Sequence, residues 1–428
     1  MTGRRWRALS AAVVVAATAL VAACSSGESR GPGSGEPAGG DPRARITFQL
    51  KAEPEEKAVY ESLTAAYGKQ GGGPVELVPL GRKDHLARLS TAFAAGTPPD
   101  VFLLNYREFS PFVLRGAIEP VGPVVEEAGV RLDDYYEEPR AAFTYDGALQ
   151  CMPQNISSMV VYWNTELFAK AGVAPPTSDW TFDELVAAAR ALTRGGVKGL
   201  GIEPTITRMA PVIWGNGGRV VDDLESPTRL TLDEPAAREA LQRMAGLARE
   251  VSPDKESQAA QGLLEQFMTG KLAMFMSSRV EVPALREQAG LSFDVAPMPG
   301  MKQPAAILHS DAYCIAKGSQ NKAAAARFIA YAVGQQGSTI TALGGRTVPS
   351  LTSVAESPAF LTTAKEPKSS QVFLDNIPNL QHTPVVPAWP EIEDVIETEL
   401  TRTFLDGVPL DETLKAIRAQ ADPLLQQR

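Results

Sequence analysis

Histidine and cysteine are scarce. The 428 residues hold three of each: His85, His309 and His382, and Cys24, Cys151 and Cys314. None of them has the spacing of a metal site, which gathers several such ligands close together. Positive charge is neither dominant nor clustered. The formal net charge is −9 and no run of five Lys or Arg occurs. A nucleic-acid partner is therefore not expected, because neutralising phosphates takes a basic stripe. No apolar run beyond the N-terminus is long enough to span a bilayer. Phosphate-cradling motifs are missing too. Gly215-Asn216-Gly217-Gly218 lacks the spacing of a dinucleotide fingerprint, and Gly270-Lys271 has no phosphate loop ahead of it. No Ser-His-Asp arrangement or carboxylate pair suggests catalysis, and no cofactor is expected.

What is present describes an exported globular chain. Apolar residues make up 44% and charged residues 21%, which rules out wholesale disorder. The length exceeds one ordinary core, so two domains are expected. Arg4, Arg5 and Arg7 precede an apolar stretch over residues 9–21, the pattern of a signal peptide. The stretch ends Val21-Ala22-Ala23-Cys24, which resembles the lipobox of bacterial lipoproteins. That resemblance implies cleavage before Cys24 and acylation of its sulfur; the alternative is a plain secretory signal with an incidental cysteine. Residues 25–45 are rich in Gly, Ser and Pro and read as a flexible tether, spanning roughly 25 Å root-mean-square. Export places Cys151 and Cys314 where a disulfide can persist, so they are either bonded or two buried thiols.

The chain then reads as alternating strands and helices. Residues 46–52, 75–80 and 100–105 are strand-like, separated by helical patterns over 55–70 and 83–95. Strand–helix–strand order predicts a parallel sheet, with ligand bound beyond the carboxyl ends of its strands. Residues 150–176 are the pivot. A strand-like run is broken by Pro153, resumes over 159–163 and leads into a short helix stopped by Gly172. A strand interrupted by proline can be one long element crossing from one domain to another, and that is the expectation for this stretch. Further on, Thr181 and Glu184 have the spacing of a capping box. Asp233 is the expected cap of a helix over 235–251. Strands are expected over 199–203, 272–276, 293–296 and 312–316, and helices over 260–269, 321–334, 390–405 and 411–428.

Several segments together resemble one family. They are Gly96 to Val101, Val161 to Asn164 with Glu166-Leu167-Phe168, Trp180 to Leu185, Phe267 to Met274, Ala323 to Ala330, Gly344 to Pro349, and Trp389 to Leu414. In order and spacing they resemble the solute-binding proteins of bacterial ABC importers, in the maltose-binding-like, carbohydrate-specific group. The resemblance implies an α/β, two-lobed periplasmic-binding-protein fold with a hinge and a central ligand cleft. Lobe 1 would hold residues 43–153 plus 304–345, and lobe 2 residues 154–303 plus 346–428. It implies no catalytic activity. The implied partners are a carbohydrate ligand, the permease subunits, and the membrane through the lipid anchor, and the chain is expected to be a monomer at the outer face of the cytoplasmic membrane. Beside each other at the hinge of such a fold, Cys151 and Cys314 would form a disulfide.

Sugar recognition asks for aromatic faces and for groups that match hydroxyls. The candidate stacking residues are Tyr106, Trp214 and Trp389. The candidate polar contacts are Glu53, Asn105, Gln154, Asn155, Asn216, Ser278, Arg279, Asp311 and Arg346, with Gly345 allowing close backbone approach. Two other readings stand beside this one. One is a binding protein for another small solute, such as glycerol phosphate, a glycerophosphodiester or a peptide. The other is an exported glycan-degrading enzyme.

Overall fold

The computed structural model describes residues 40–52 and 54–426. The signal peptide, the lipobox with Cys24, most of the tether, and Glu53 lie outside the described residues. Among the described residues no helix is long and apolar enough to cross a membrane.

Chain order explains the first sheet. β1 (Ile46–Lys51), β2 (Val75–Leu80) and β3 (Val101–Asn105) alternate with the helices Pro54–Lys69 and Arg82–Ala94. β1 pairs in parallel with both β2 and β3. β3 is buried along its whole length, as expected of a strand covered on both faces. β4 (Ile118–Glu119) follows, then a hairpin of β5 (Thr144–Tyr145) and β6 (Ala148–Leu149), then β7 (Cys151–Pro153).

Beyond Pro153 the chain leaves this sheet. β8 (Ser157–Ser158) and β9 (Val160–Asn164) lead to the helix Thr165–Ala171, which ends on Gly172 at φ 67. That left-handed value suits glycine, so the sequence stops the helix where it must. β9 lies between β10 (Met274–Ser277) and β11 (Phe293–Pro297), antiparallel to both. The helix Phe182–Leu192 opens with the capping box of Thr181 and Glu184. The helix Pro235–Val251 is not capped as expected. Pro235 fixes the first turn, so Glu234 takes the cap position without a side-chain bond, and Asp233 pairs with Arg418 at 2.7 Å instead. Residues 199–203 form no strand and contribute only a bridge at Gly201, with another at Lys198.

The return brings the chain home. β12 (Ala306–His309) pairs with β8 and with β14 (Leu380–Gln381). β13 (Asp311–Ala316) enters the first sheet between β3 and β4, antiparallel to both, and also pairs with β7. In that last pairing Cys314 stands opposite Cys151. The two are joined by a disulfide with Cα atoms 4.4 Å apart, within the reach of about 7 Å that such a bridge needs.

Three segments therefore run side by side between the sheets. Gln154 donates its backbone N–H to Asp311, Ser310 Oγ donates to the Asn155 carbonyl at 2.6 Å, and Ser350 Oγ donates to the Pro153 carbonyl at 2.6 Å. Two apolar clusters flank them. One gathers Phe48, Phe102, Tyr313 and Phe328 around the first sheet. The other gathers Trp180, Trp214, Met244, Trp389 and Ile396 around the later helices. Ala324, Ala325, Ala326 and Ala332 of the helix Lys322–Val333 are buried on the first cluster, where small side chains let a helix lie close to its neighbours.

Candidate functional site

A cleft of about 1110 Å³ opens at the crossing segments. Its floor follows from strand alternation. Asn155, Ser157 and Met159 line it from one segment, and His309 and Asp311 from the other, since residues two apart in a strand share a face. One wall comes from the carboxyl ends of the parallel strands: Lys51 closing β1, Asn105 closing β3, then Arg107 and Glu108. The facing wall comes from Thr205 to Arg208, from Ser277 and Ser278, and from the helix Trp389–Phe404.

Asp311 is the hub. Its carboxylate accepts from Asn105 Nδ2 at 3.1 Å and lies near Arg346 and Lys51. Its backbone N–H donates to Asn155 Oδ1 at 2.8 Å. Burial alone would push the carboxyl up; Lys51, Arg346 and Asn105 outweigh that and hold it well below the usual carboxylate range. Arg346 also pairs with Glu56.

Every cation lining the cleft has a carboxylate partner. Arg107 reaches Glu393 at 2.8 Å, Arg208 reaches Glu203 at 2.7 Å, and Lys255 reaches Asp406 at 2.7 Å. Arg402 reaches Glu399 at 2.5 Å, while Lys51 and Arg346 share Asp311. Among the described residues the lining holds six Lys or Arg and seven Asp or Glu. Such a wall offers hydrogen bonds from both signs and concentrates neither.

The candidates divide. Asn105, Asn155, Ser278, Asp311 and Arg346 line the cleft together. The other described candidates are held elsewhere. Gln154 sits one residue out of phase with the floor and donates to Tyr60 Oη at 3.0 Å. Trp214 is 6% exposed and packs in the second apolar cluster. Asn216 donates to the Ala236 carbonyl and to Glu239. Tyr106 is fully buried, its hydroxyl against Thr383. Arg279 is buried with its guanidinium over the rings of Phe360 and Phe373, donating to the Gly345 carbonyl and to Ser370. Gly345 takes φ 91, and a Cβ there would meet Arg286 Nη1 at 2.6 Å, so glycine is required by the turn and its packing. Trp389 is buried and acts at one remove: its Nε1 donates to Glu393, a cleft residue, at 2.8 Å.

Ser157, Met159 and His309 escaped the sequence reading, as did the polar face of the helix Trp389–Phe404. Both had a signal. Asn155, Ser157 and Met159 alternate. Glu393, Glu397 and Thr401 recur every four residues, in a row beside the buried Ile392, Ile396 and Leu400.

Burial lowers the proton affinity of two histidines, His85 and His309; Arg107 adds to the effect at His309. The unfolded chain therefore binds more protons than the native one below about pH 6.5, the ordinary histidine value. Stability then rises with pH through that window and falls on acidification. Melting temperatures measured from pH 7 to pH 5 should decline, and His85→Gln should flatten the slope. A flat profile for the unsubstituted protein over that range would contradict burial of the two rings.

Known proteins share this fold. A putative binding protein of Brucella abortus (strain 2308) is 24% identical over 363 residues, covering 80% of this chain and 83% of that protein. The ABC substrate-binding protein Lmo0181 from Listeria monocytogenes, solved in complex with cycloalternan, superposes with a TM-score of 0.82 at 24% identity, over 90% of this chain and 99% of that one. The GacH receptor of Streptomyces glaucescens, solved unliganded and with acarbose, gives 0.79 at 22% identity, over 90% and 98%. These likenesses fix the fold as the two-lobed binding-protein type. The model of the bacterial extracellular solute-binding proteins matches residues 62–368, most of the chain, and this protein belongs to that family.

Proposed function

We propose that the protein is the substrate-binding lipoprotein of an ABC importer, capturing a neutral carbohydrate in the cleft and delivering it to the permease. The observation that carries this reading is the charge pairing of the cleft. An anionic solute such as glycerol phosphate calls for concentrated cations free to meet it, and here each lining cation already faces a carboxylate. A solute rich in hydroxyls instead finds alternating donors and acceptors in a large, open groove. Lmo0181 in complex with cycloalternan and GacH with acarbose support the substrate class. In this reading Asn105, Asn155, Ser278, Asp311 and Arg346 contact the ligand. Segments 153–157 and 309–311 form the hinge between lobe 1 and lobe 2, and closure shifts only as far as ligand contacts favour the closed state. The lipid anchor at Cys24 holds the protein at the outer face of the membrane as a monomer, and the protein turns over no substrate.

A thermal-shift screen tests this. Neutral mono-, di- and oligosaccharides are compared with glycerol 3-phosphate. One saccharide should raise the melting temperature, because binding the native state alone contributes about 2.7 kcal/mol at a hundredfold excess over Kd. The sugar should be recovered unchanged. Stabilisation by glycerol 3-phosphate alone rejects the substrate class, and hydrolysis products reject the binding role.

A further inference from the structure

The cleft floor contains polar atoms that the protein leaves unmatched. β8 and β12 pair antiparallel, with His309 directly opposite Ser157. Both residues line the cleft, and side chains directly opposite one another project to the same face within reach of a shared partner. Ser157 is 3% exposed, and among the described residues neither its Oγ nor His309 Nε2 has a hydrogen-bond partner. Leaving a buried polar atom unmatched costs stability, and native structures do so rarely.

The neighbours show that the mismatch is local. Ser158, one residue on, is fully buried and accepts from Asn376 Nδ2 at 3.2 Å. Asn155 and Asp311, the next floor residues beside the pair, are bonded to each other. The bonds made by Ser158, Asn155 and Asp311 leave Ser157 Oγ and His309 Nε2, both on residues of the cleft floor, buried and unmatched among the described residues.

The chemistry narrows what completes them. A serine hydroxyl both donates and accepts, and a neutral imidazole has one donor and one acceptor nitrogen. Burial, with Arg107 nearby, keeps His309 neutral. Among the described residues no group of His, Cys, Asp or Glu could hold a metal ion. An anion would look to the cations, which are paired. A group that donates and accepts at once, a hydroxyl, matches both atoms.

We infer that Ser157 and His309 form a recognition pair for hydroxyls of one sugar ring seated on the cleft floor. This assignment rests on the neutral-carbohydrate reading. Its specificity follows from the unmatched atoms: a ligand lacking hydroxyls at that position leaves them buried and unpaired, which discriminates more sharply than a shape mismatch.

The test compares Ser157→Ala, His309→Ala and His309→Gln with the unsubstituted protein. Maltose, mannobiose, raffinose and glycerol 3-phosphate serve as probes, and the saccharide that stabilises the unsubstituted protein is carried into calorimetric titration. Without ligand, S157A should melt at the same temperature or higher, because it removes an unmatched hydroxyl. With the saccharide, S157A and H309A should each bind at least tenfold more weakly. H309Q should bind more tightly than H309A, because the amide also donates and accepts. A saccharide that binds S157A and H309A as tightly as the unsubstituted protein overturns the recognition pair and leaves the carbohydrate reading standing. S157A that melts well below the unsubstituted protein when empty also overturns the pair, since the hydroxyl is then structural. Binding of glycerol 3-phosphate alone, or of no probe, overturns the carbohydrate reading and the hydroxyl assignment together.

Discussion

Replacing Arg346 with methionine should destabilise the folded protein by roughly 3–5 kcal/mol, the usual cost of removing one partner from a buried ion pair. Arg346 is 8% exposed and pairs with Glu56 and Asp311, themselves buried. Burial alone would lower the guanidinium's proton affinity; Glu56, Tyr60 and Asp311 outweigh it and hold the group above its ordinary value. The substitution leaves two carboxylates in a low-dielectric pocket with Lys51, 4.0 Å from Asp311, as the remaining cation nearby. Denaturant unfolding measures the loss. Glu56→Gln in the same chain removes one of the two buried negative charges, so the double variant should recover part of it. A loss below about 1 kcal/mol for R346M would show that water reaches the cluster and screens it as it does a surface pair. Because Arg346 and Asp311 also line the cleft, the same variant should bind the saccharide more weakly, which separates it from substitutions that act on stability alone.

Strand order was legible because buried parallel strands read as apolar runs bounded by turn residues. The segments around β1, β2 and β3 have that form, and Pro153 marked the crossing. The cleft was legible only where backbone position decides the role. Asp311 and Asn155 sit on the crossing segments whatever their side chains do, so finding those segments found them. Gln154 illustrates the limit: one residue of strand phase turns a side chain from the cleft to Tyr60. Aromatics were the poorest guide. Trp214, Trp389 and Tyr106 gain more from a core than from an open wall, and a sequence shows an aromatic without showing which it faces. Among the described residues lining the cleft there is no Phe, Tyr or Trp. Arg279 misled for a related reason: its charge suggested a ligand contact, while its planar guanidinium stacks on Phe360 and Phe373.

Removing the disulfide should cost roughly 2–5 kcal/mol, the range for a native bridge of this kind. Cys151 and Cys314 are 163 residues apart in sequence. The loop between them carries the whole of the sheet built on β9 and the helices packed on it, so in the unfolded chain the cross-link forbids a large share of conformations. In the folded chain the two residues already face each other across β7 and β13, and the bond asks for no rearrangement of those strands. Both side chains are fully buried, so alanine is the fitting replacement, since serine would bury a hydroxyl. The paired variant Cys151→Ala with Cys314→Ala, and the unsubstituted protein unfolded in reductant, should lose stability by similar amounts. A loss under about 1 kcal/mol in both would mean that strand pairing alone holds the crossing together. The bridge lies inside the first sheet, and neither cysteine lines the cleft. Saccharide affinity should therefore stay within about twofold at temperatures where the variant is folded. That outcome sets the disulfide apart from Arg346: Cys314 holds the sheet, while Asp311, the Arg346 partner three positions earlier on β13, lines the cleft.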